Sequence, residues 1–61
     1  MHDKLMMSID EFAERHDLGV STVYKLIAAG KGPRTAKVGD RRLISAEAAA
    51  EWRHRMEQAG A

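Results

Sequence analysis

The fold of this chain is constrained most by two helical patterns that follow each other with only the turn His-Asp-Leu-Gly, residues 16–19, between them. The first pattern places three core candidates on one helix face, at Ile9, Phe12 and Ala13. The second is an apolar stripe of Val20, Val23, Leu26 and Ile27. Leu18 is the one apolar group available to fill the corner of the turn. We expect two short helices joined tightly.

The helix boundaries carry their own signals. Ser8 and Glu11 have the spacing of a capping box, in which each side chain bonds the backbone N–H of the other. Met7 and Phe12 flank this start with the spacing of a hydrophobic staple. Gly30 can supply the left-handed residue that ends the second helix. The first two helices are therefore predicted to begin and end close to these residues.

The length of 61 residues allows one small domain with a single modest core, and we place it at residues 1–61 with an ordered core of about 5–57. The chain has no cysteine, which excludes disulfides and thiolate metal sites and permits a cytoplasmic, nucleoid-associated location. No apolar run approaches the roughly 18 residues that a membrane span needs, so no membrane partner is expected. Stability must come from packing.

Charge is segregated along the chain. The segment 25–42 holds six basic side chains and one acid, whereas the remainder holds four basic side chains and eight acids. The six are Lys25, Lys31, Arg34, Lys37, Arg41 and Arg42. This distribution favours a surface that binds a polyanion. The alternative is a basic loop that is simply solvated.

A two-stranded β-hairpin is predicted within the basic segment. "RTAKV" (34–38) and "RRLI" (41–44) are strand candidates, and Gly39-Asp40 between them fits a type II′ turn. Pro33 cannot donate to a strand ladder and should precede the first strand. The segment therefore has the pattern of a β-wing.

The register of this wing decides which side chains face the core. If Val38 pairs with Arg41, one face holds Ala36, Val38 and Leu43, and the other holds Lys37 and Arg42. We expect Val38 and Leu43 to hold the wing to the core. Arg41 would lie near the tip.

A third helix is predicted after Ser45, which can cap it. Its apolar face consists of Ala48, Ala49, Trp52 and Met56. We interpret Trp52 as the largest single contributor to the core, since it lies among alanines on a capped amphipathic helix. A tryptophan that stacks on a nucleic-acid base is the alternative.

The stretch "FAERHDLGVSTVYKLI" (12–27) resembles the helix-turn-helix of MerR-like and excisionase-like DNA-binding domains. Ala13 matches the small residue at the helix crossing, Leu18 the buried turn residue, and Val23 and Leu26 the core of the recognition helix. The turn departs from the family pattern at two positions: the family commonly has glycine where this chain has Asp17, and a serine cap where it has Gly19.

Over Leu5 to Met56, the order helix, turn, helix, hairpin and capped helix with a tryptophan resembles the small winged domains of excisionases and AlpA-like regulators. "GKGPRTAKVGDRRLIS" (30–45) is similar to the segment that joins the second and third helices in those families. The resemblance implies an α+β, mainly α, winged helix-turn-helix fold.

The resemblance also implies which residues bind double-stranded DNA. The recognition-helix candidates are Ser21, Thr22, Tyr24 and Lys25. The wing and loop candidates are Lys31, Arg34, Lys37, Arg41 and Arg42. Arg41 would enter the minor groove, and each of these cations could alternatively be merely exposed.

Excisionase-like proteins bind adjacent sites cooperatively and bend DNA so that an integrase can act, so the resemblance implies a recombination directionality factor with DNA, further copies of itself and an integrase as partners. An AlpA-like or MerR-like transcriptional regulator would use the same surface. A protein-interaction module is a third hypothesis, and its sequence argument is the acidic first helix with Asp10, Glu11 and Glu14.

Enzymatic activity and cofactor binding are not expected. His2, His16 and His54 are scattered and match no metal or nucleophile spacing. The carboxylates Glu47, Glu51 and Glu57 fit a solvated helix. We interpret His16 as a boundary side chain and not as a metal ligand.

Overall fold

The computed structural model describes residues 5–60, so His2 lies outside the described residues. The elements in chain order are β1 (Met6–Ser8), α1 (Ile9–Arg15), α2 (Val20–Ala28), β2 (Ala36–Val38), β3 (Arg41–Ser45) and α3 (Ala46–Ala59). The predicted order of helices and hairpin is confirmed, and α3 ends at Ala59. The fold is a small, mainly helical winged helix-turn-helix.

Strand β1 is an element that the sequence did not predict. It pairs antiparallel with β3, so that the hairpin becomes a three-stranded sheet with the order β1-β3-β2. The central residues Met7 and Ile44 are directly opposite each other, and both are buried. Three residues are too few to show an alternating pattern, and the partner strand lies far along the chain.

The core collects side chains from all three helices and from the sheet. Its buried members are Met7, Ile9, Phe12, Ala13, Val23, Ile44, Ala48, Ala49 and Trp52. Leu18, Leu26 and Ile27 are half-buried and pack against it, which confirms that Leu18 fills the corner of the turn. The ring of Trp52 contacts Phe12 edge to face at a centroid distance of 5.4 Å. Trp52 is therefore a core residue, and this position excludes the base-stacking alternative.

His16 lies at the edge of this aromatic cluster. Its ring stacks on Phe12 at 4.1 Å, and its Nδ1–H donates to the Phe12 carbonyl at 2.8 Å. Its Nε2 accepts from Arg53 at 3.1 Å. The two contacts together correspond to the tautomer with hydrogen on Nδ1. The interpretation of His16 as a boundary side chain is confirmed.

The predicted serine caps of α1 and α3 are confirmed. The Glu11 N–H donates to Ser8 Oγ at 3.0 Å, and the Ala48 N–H donates to Ser45 Oγ at 3.0 Å. In each case the serine oxygen accepts from a backbone N–H of the first helical turn, which has no acceptor within the helix. The two strands β1 and β3 therefore each run directly into a capped helix.

The turn between α1 and α2 is a Schellman motif. The Leu18 N–H donates to the Ala13 carbonyl at 2.8 Å and the Asp17 N–H to the Glu14 carbonyl at 3.2 Å. Asp17 has a φ of 57°, the left-handed conformation that favours glycine. The departure from the family pattern at Asp17 thus leaves the turn intact but places a side chain on a strained backbone.

Replacing Asp17 with glycine is expected to raise the free energy of unfolding by up to about 1 kcal/mol, because glycine adopts this φ without steric cost. Chemical denaturation followed by circular dichroism measures the change. Asp17→Asn is the charge control, and Asp40→Gly removes the same charge at a turn residue without positive φ. An Asp17→Gly midpoint at or below the wild-type midpoint would contradict the strain argument.

Two predictions about apolar residues are wrong. Met56 was predicted on the apolar face of α3, but it is 38% exposed because the last two turns of α3 extend beyond the core. Val20 was predicted in the core stripe of α2, but it is 40% exposed as the first residue of that helix. The first residue of the α2 stripe and the last residue of the α3 stripe therefore lie outside the core.

The wing has the predicted register but not the predicted orientation. Val38 pairs with Arg41 and Lys37 with Arg42, as expected. Opposed residues share a face and faces alternate along a strand, so the face of buried Ile44 is also the face of Arg42 and Lys37. Val38 lies on the opposite face and is 55% exposed. The prediction that Val38 and Leu43 hold the wing to the core is therefore wrong.

Candidate nucleic-acid interface

Helix α2 presents the predicted recognition residues to solvent. The four side chains Ser21, Thr22, Tyr24 and Lys25 are all exposed. Val23, on the opposite side of the helix, is fully buried against the core. Burial of one stripe orients the helix about its own axis. The exposed face therefore carries two hydroxyls, a phenol and an ammonium group along one side of the helix.

The end of α2 is fixed by backbone contacts. The Gly30 N–H donates to the Ile27 carbonyl at 3.1 Å and the Lys31 N–H to the Leu26 carbonyl at 2.9 Å, which together form a second Schellman motif. Gly30 has a φ of +74°, as predicted for the residue that ends the helix. The chain leaves α2 in a defined direction towards the loop and the wing.

The wing carries cations on both faces and at its tip. Lys37 and Arg42 are opposite each other on one face, and Arg41 lies on the other face beside the turn. Gly39 has positive φ and Asp40 does not, which is the pattern of a type II′ turn and confirms that prediction. All three cations are exposed. In the part of the chain that the structure describes, none of them is in an ion pair.

The two predicted loop residues differ in their surroundings. The Lys31 side chain is exposed. Arg34 is in an ion pair with Glu51 of α3, with Nε donating to Oε1 at 2.9 Å and a second nitrogen at 3.4 Å from Oε2. An opposed carboxylate reduces the positive potential that Arg34 offers to an anion. Among the six cations of the basic segment, Arg34 is the one that forms an ion pair within the described residues.

A family model described as a helix-turn-helix domain matches residues 6–56, which is most of the chain. The chain belongs to this helix-turn-helix family. Comparisons with curated proteins and with solved structures find no match. The protein is a small helix-turn-helix DNA-binding protein, and DNA is its partner. The matched residues begin at β1 and end within α3, so they include the recognition helix, the loop and the wing.

One exposed residue of α2 was predicted wrongly from the sequence. Val20 was placed in the core stripe by its spacing, yet it is exposed one turn before Tyr24 on α2. Gly19, which precedes it, caps the helix without a side-chain hydrogen bond. The spacing gave no signal for this exposure, because Val20 lies three and seven residues before Val23 and Ile27 and so fits the same helical stripe. Apolar side chains at such positions can contact thymine methyl groups.

The remaining cations of the helix-turn-helix domain serve contacts within the protein. Arg15 pairs with Glu11 at 3.3 Å, Arg53 contacts His16, and Arg55 donates to the Gly32 carbonyl at 3.2 Å.

In residues 5–60, no helix is long and apolar enough to cross a membrane. No three histidine or acidic side chains within the same range lie where they could hold a metal ion.

Proposed function

We propose that the protein binds duplex DNA sequence-specifically, with α2 in the major groove and the wing along the adjacent minor groove. The observation that carries the proposal is that α2 exposes a face of hydroxyl and ammonium groups, while the neighbouring hairpin exposes three cations that are in no described ion pair. A helix fits the major groove, and a cationic hairpin suits the phosphates beside it.

Each residue of the recognition helix has a distinct role in this proposal. Lys25 contacts guanine acceptors or a phosphate, and Ser21 and Thr22 reach base edges or the backbone. Tyr24 donates its hydroxyl to the DNA backbone. Val20 adds an apolar contact to a thymine methyl group. Sequence preference therefore arises mainly from α2.

The wing supplies affinity with little sequence information. Arg41 beside the turn inserts into the minor groove, where narrow A·T-rich segments attract arginine. Lys37 and Arg42 contact flanking phosphates, and Lys31 adds a phosphate contact from the loop. Arg34 contributes only when it leaves Glu51, so it is the weakest of the proposed contacts.

The test begins by selecting duplexes from a randomised library, because the target sequence has to be found first. We expect an enriched motif. We also expect Lys25→Ala to reduce the difference between the specific and nonspecific binding free energies by about 1–3 kcal/mol. Arg41→Ala should weaken binding to all duplexes and lower the slope of log K against log salt by about 0.9. Arg15→Ala is the matched control, since it removes a cation outside the basic segment. Absence of any enriched motif, or indifference to Lys25→Ala, would overturn the proposal.

We further propose that the protein acts as an excisionase, a recombination directionality factor that occupies adjacent sites and bends DNA for an integrase. The support is the resemblance of residues 5–56 to such domains, together with the modest interface that one module of this size can form. Several copies on neighbouring sites would raise occupancy without enlarging that interface.

Footprinting and bending assays on the selected duplex, with and without an integrase, test this role. Repeated protected sites in phase with the DNA helix and a marked bend are expected. A single protected site at a promoter without bending would instead indicate an AlpA-like or MerR-like regulator. Absence of DNA binding would favour the protein-interaction hypothesis, for which the exposed Asp10 and Glu14 of α1 would be the first surface to examine.

A further inference from the structure

We propose that Trp52 and Arg55 are positioning residues that fix the orientation of α2 relative to the wing. Both lie on α3, and both donate to carbonyls of the loop between α2 and β2. The Trp52 Nε1–H donates to the Lys31 carbonyl at 3.0 Å, and an Arg55 guanidinium nitrogen donates to the Gly32 carbonyl at 3.2 Å. We call these two contacts the loop clamp. The effect of the loop clamp on DNA binding rests on the function proposed above. Its effect on the orientation of α2 relative to the wing does not.

The clamp matters because α2 has few other attachments. Its backbone approaches mainly that of α1, and the side chains that attach it to the core are Val23, Leu26 and Ile27. The wing, in contrast, is continuous with α3 through β3 and Ser45. The two predicted DNA-binding elements therefore belong to different parts of the fold. Their relative orientation depends on what joins those parts.

Lys31 provides a short connection between them. Its N–H donates to the Leu26 carbonyl in the last turns of α2, and its carbonyl accepts from Trp52 of α3. Trp52 is itself buried and in contact with Phe12, so the donor has little freedom to move. Two successive hydrogen bonds thus run from α2 through one backbone residue to the core side of α3.

Gly32, the residue after Lys31, lies close against the end of α2. A Cβ atom on Gly32 would lie 2.9 Å from Ile27 Cγ1 and 3.0 Å from the Ile27 backbone nitrogen, so the loop passes directly against the end of α2. The exposed ion pair of Arg34 with Glu51 joins the same loop to α3 at its other end. Three successive parts of the loop are therefore held by one helix.

Residual dipolar couplings on the free protein test the clamp without DNA. In the wild type, one alignment tensor should fit the amides of α2 and of the wing. In Trp52→Phe, which keeps an aromatic ring but loses the N–H donor, and in Arg55→Ala, the α2 and wing amides should lose that common fit. Arg53→Ala is the matched control: it removes the same charge from the same helix but touches His16 and not the loop. It should keep the common fit.

The consequence on DNA is measured with the duplex selected above. Both clamp variants should keep the base preference set by Lys25, while protection of the phosphates next to the wing disappears. The slope of log K against log salt should fall by about 0.9 for each phosphate that the variant no longer neutralises. A purely structural role would lower the folded fraction without changing the protection pattern of the bound protein.

The outcomes separate the two proposals. A common alignment tensor for α2 and the wing in both clamp variants overturns the positioning role, whatever happens on DNA. If Trp52→Phe is too unstable to measure, the exposed Arg55→Ala decides by itself. Loss of the common fit together with a wild type that binds no duplex would support the clamp and overturn the proposed function.

Discussion

Replacing Phe12 with alanine is expected to remove at least about a third of the domain's free energy of unfolding. Phe12 is fully buried and contacts the rings of both His16 and Trp52, so its removal opens a cavity at the centre of the core. Such truncations cost about 3–5 kcal/mol. A domain of this length has a free energy of unfolding of roughly 3–9 kcal/mol, at about 0.05–0.15 kcal/mol per residue. Thermal unfolding followed by circular dichroism and by Trp52 fluorescence measures the loss.

Met56→Ala is the matched control for this experiment. Met56 lies one turn after Trp52 on α3, but it is exposed, so its truncation should change the free energy of unfolding by less than about 1 kcal/mol. Phe12→Leu should give an intermediate loss, because it keeps part of the buried volume. A Phe12→Ala variant that unfolds cooperatively at the wild-type temperature would show that the packing described above is wrong.

The second large effect is expected for the double variant Lys37→Ala/Arg42→Ala. These cations are directly opposite each other on one face of the wing and have no ion-pair partner among the described residues. Leaving two phosphates without a cation should lower the slope of log K against log salt by about 1.8, and affinity at 0.1 M salt by on the order of 50-fold. Fluorescence anisotropy titrations over a salt series measure both quantities.

The control for net charge is the double variant Arg15→Ala/Arg53→Ala. It removes the same number of cations from α1 and α3, where they contact Glu11 and His16. Its salt slope should match that of the wild type. If both double variants weaken binding equally, affinity depends on overall charge and the wing has no specific role.

The features that the sequence predicted correctly are local. A serine that accepts from the N–H three residues later, as at Ser8 and Ser45, depends only on a few neighbouring residues. The same is true of the turn at Gly39 and of the left-handed end of α2 at Gly30. These signals determined the order of the elements and most of their boundaries, and they placed the candidate recognition face on α2.

The features that the sequence did not predict depend on contacts between distant segments. In "RRLI", Leu43 and Ile44 are adjacent and must face opposite sides of the sheet, so alternation alone cannot tell which is buried. Pairing of Ile44 with Met7 decides it, and that pairing requires β1. The loop clamp is nonlocal in the same way, because Trp52 and Lys31 are 21 residues apart. No local pattern encodes such a contact.

The pairing of β1 with β3 also has a consequence for the order of folding. The β2–β3 hairpin closes across a two-residue turn, whereas α1, α2 and β2 all lie between Met7 and Ile44 in the sequence. Closing the longer loop costs more chain entropy, so the hairpin and the helices should form before β1 docks. Truncating Met7 should therefore accelerate unfolding and leave the refolding rate nearly unchanged, which stopped-flow measurements can determine. The proposed DNA-binding elements would be assembled before the strand that completes the sheet.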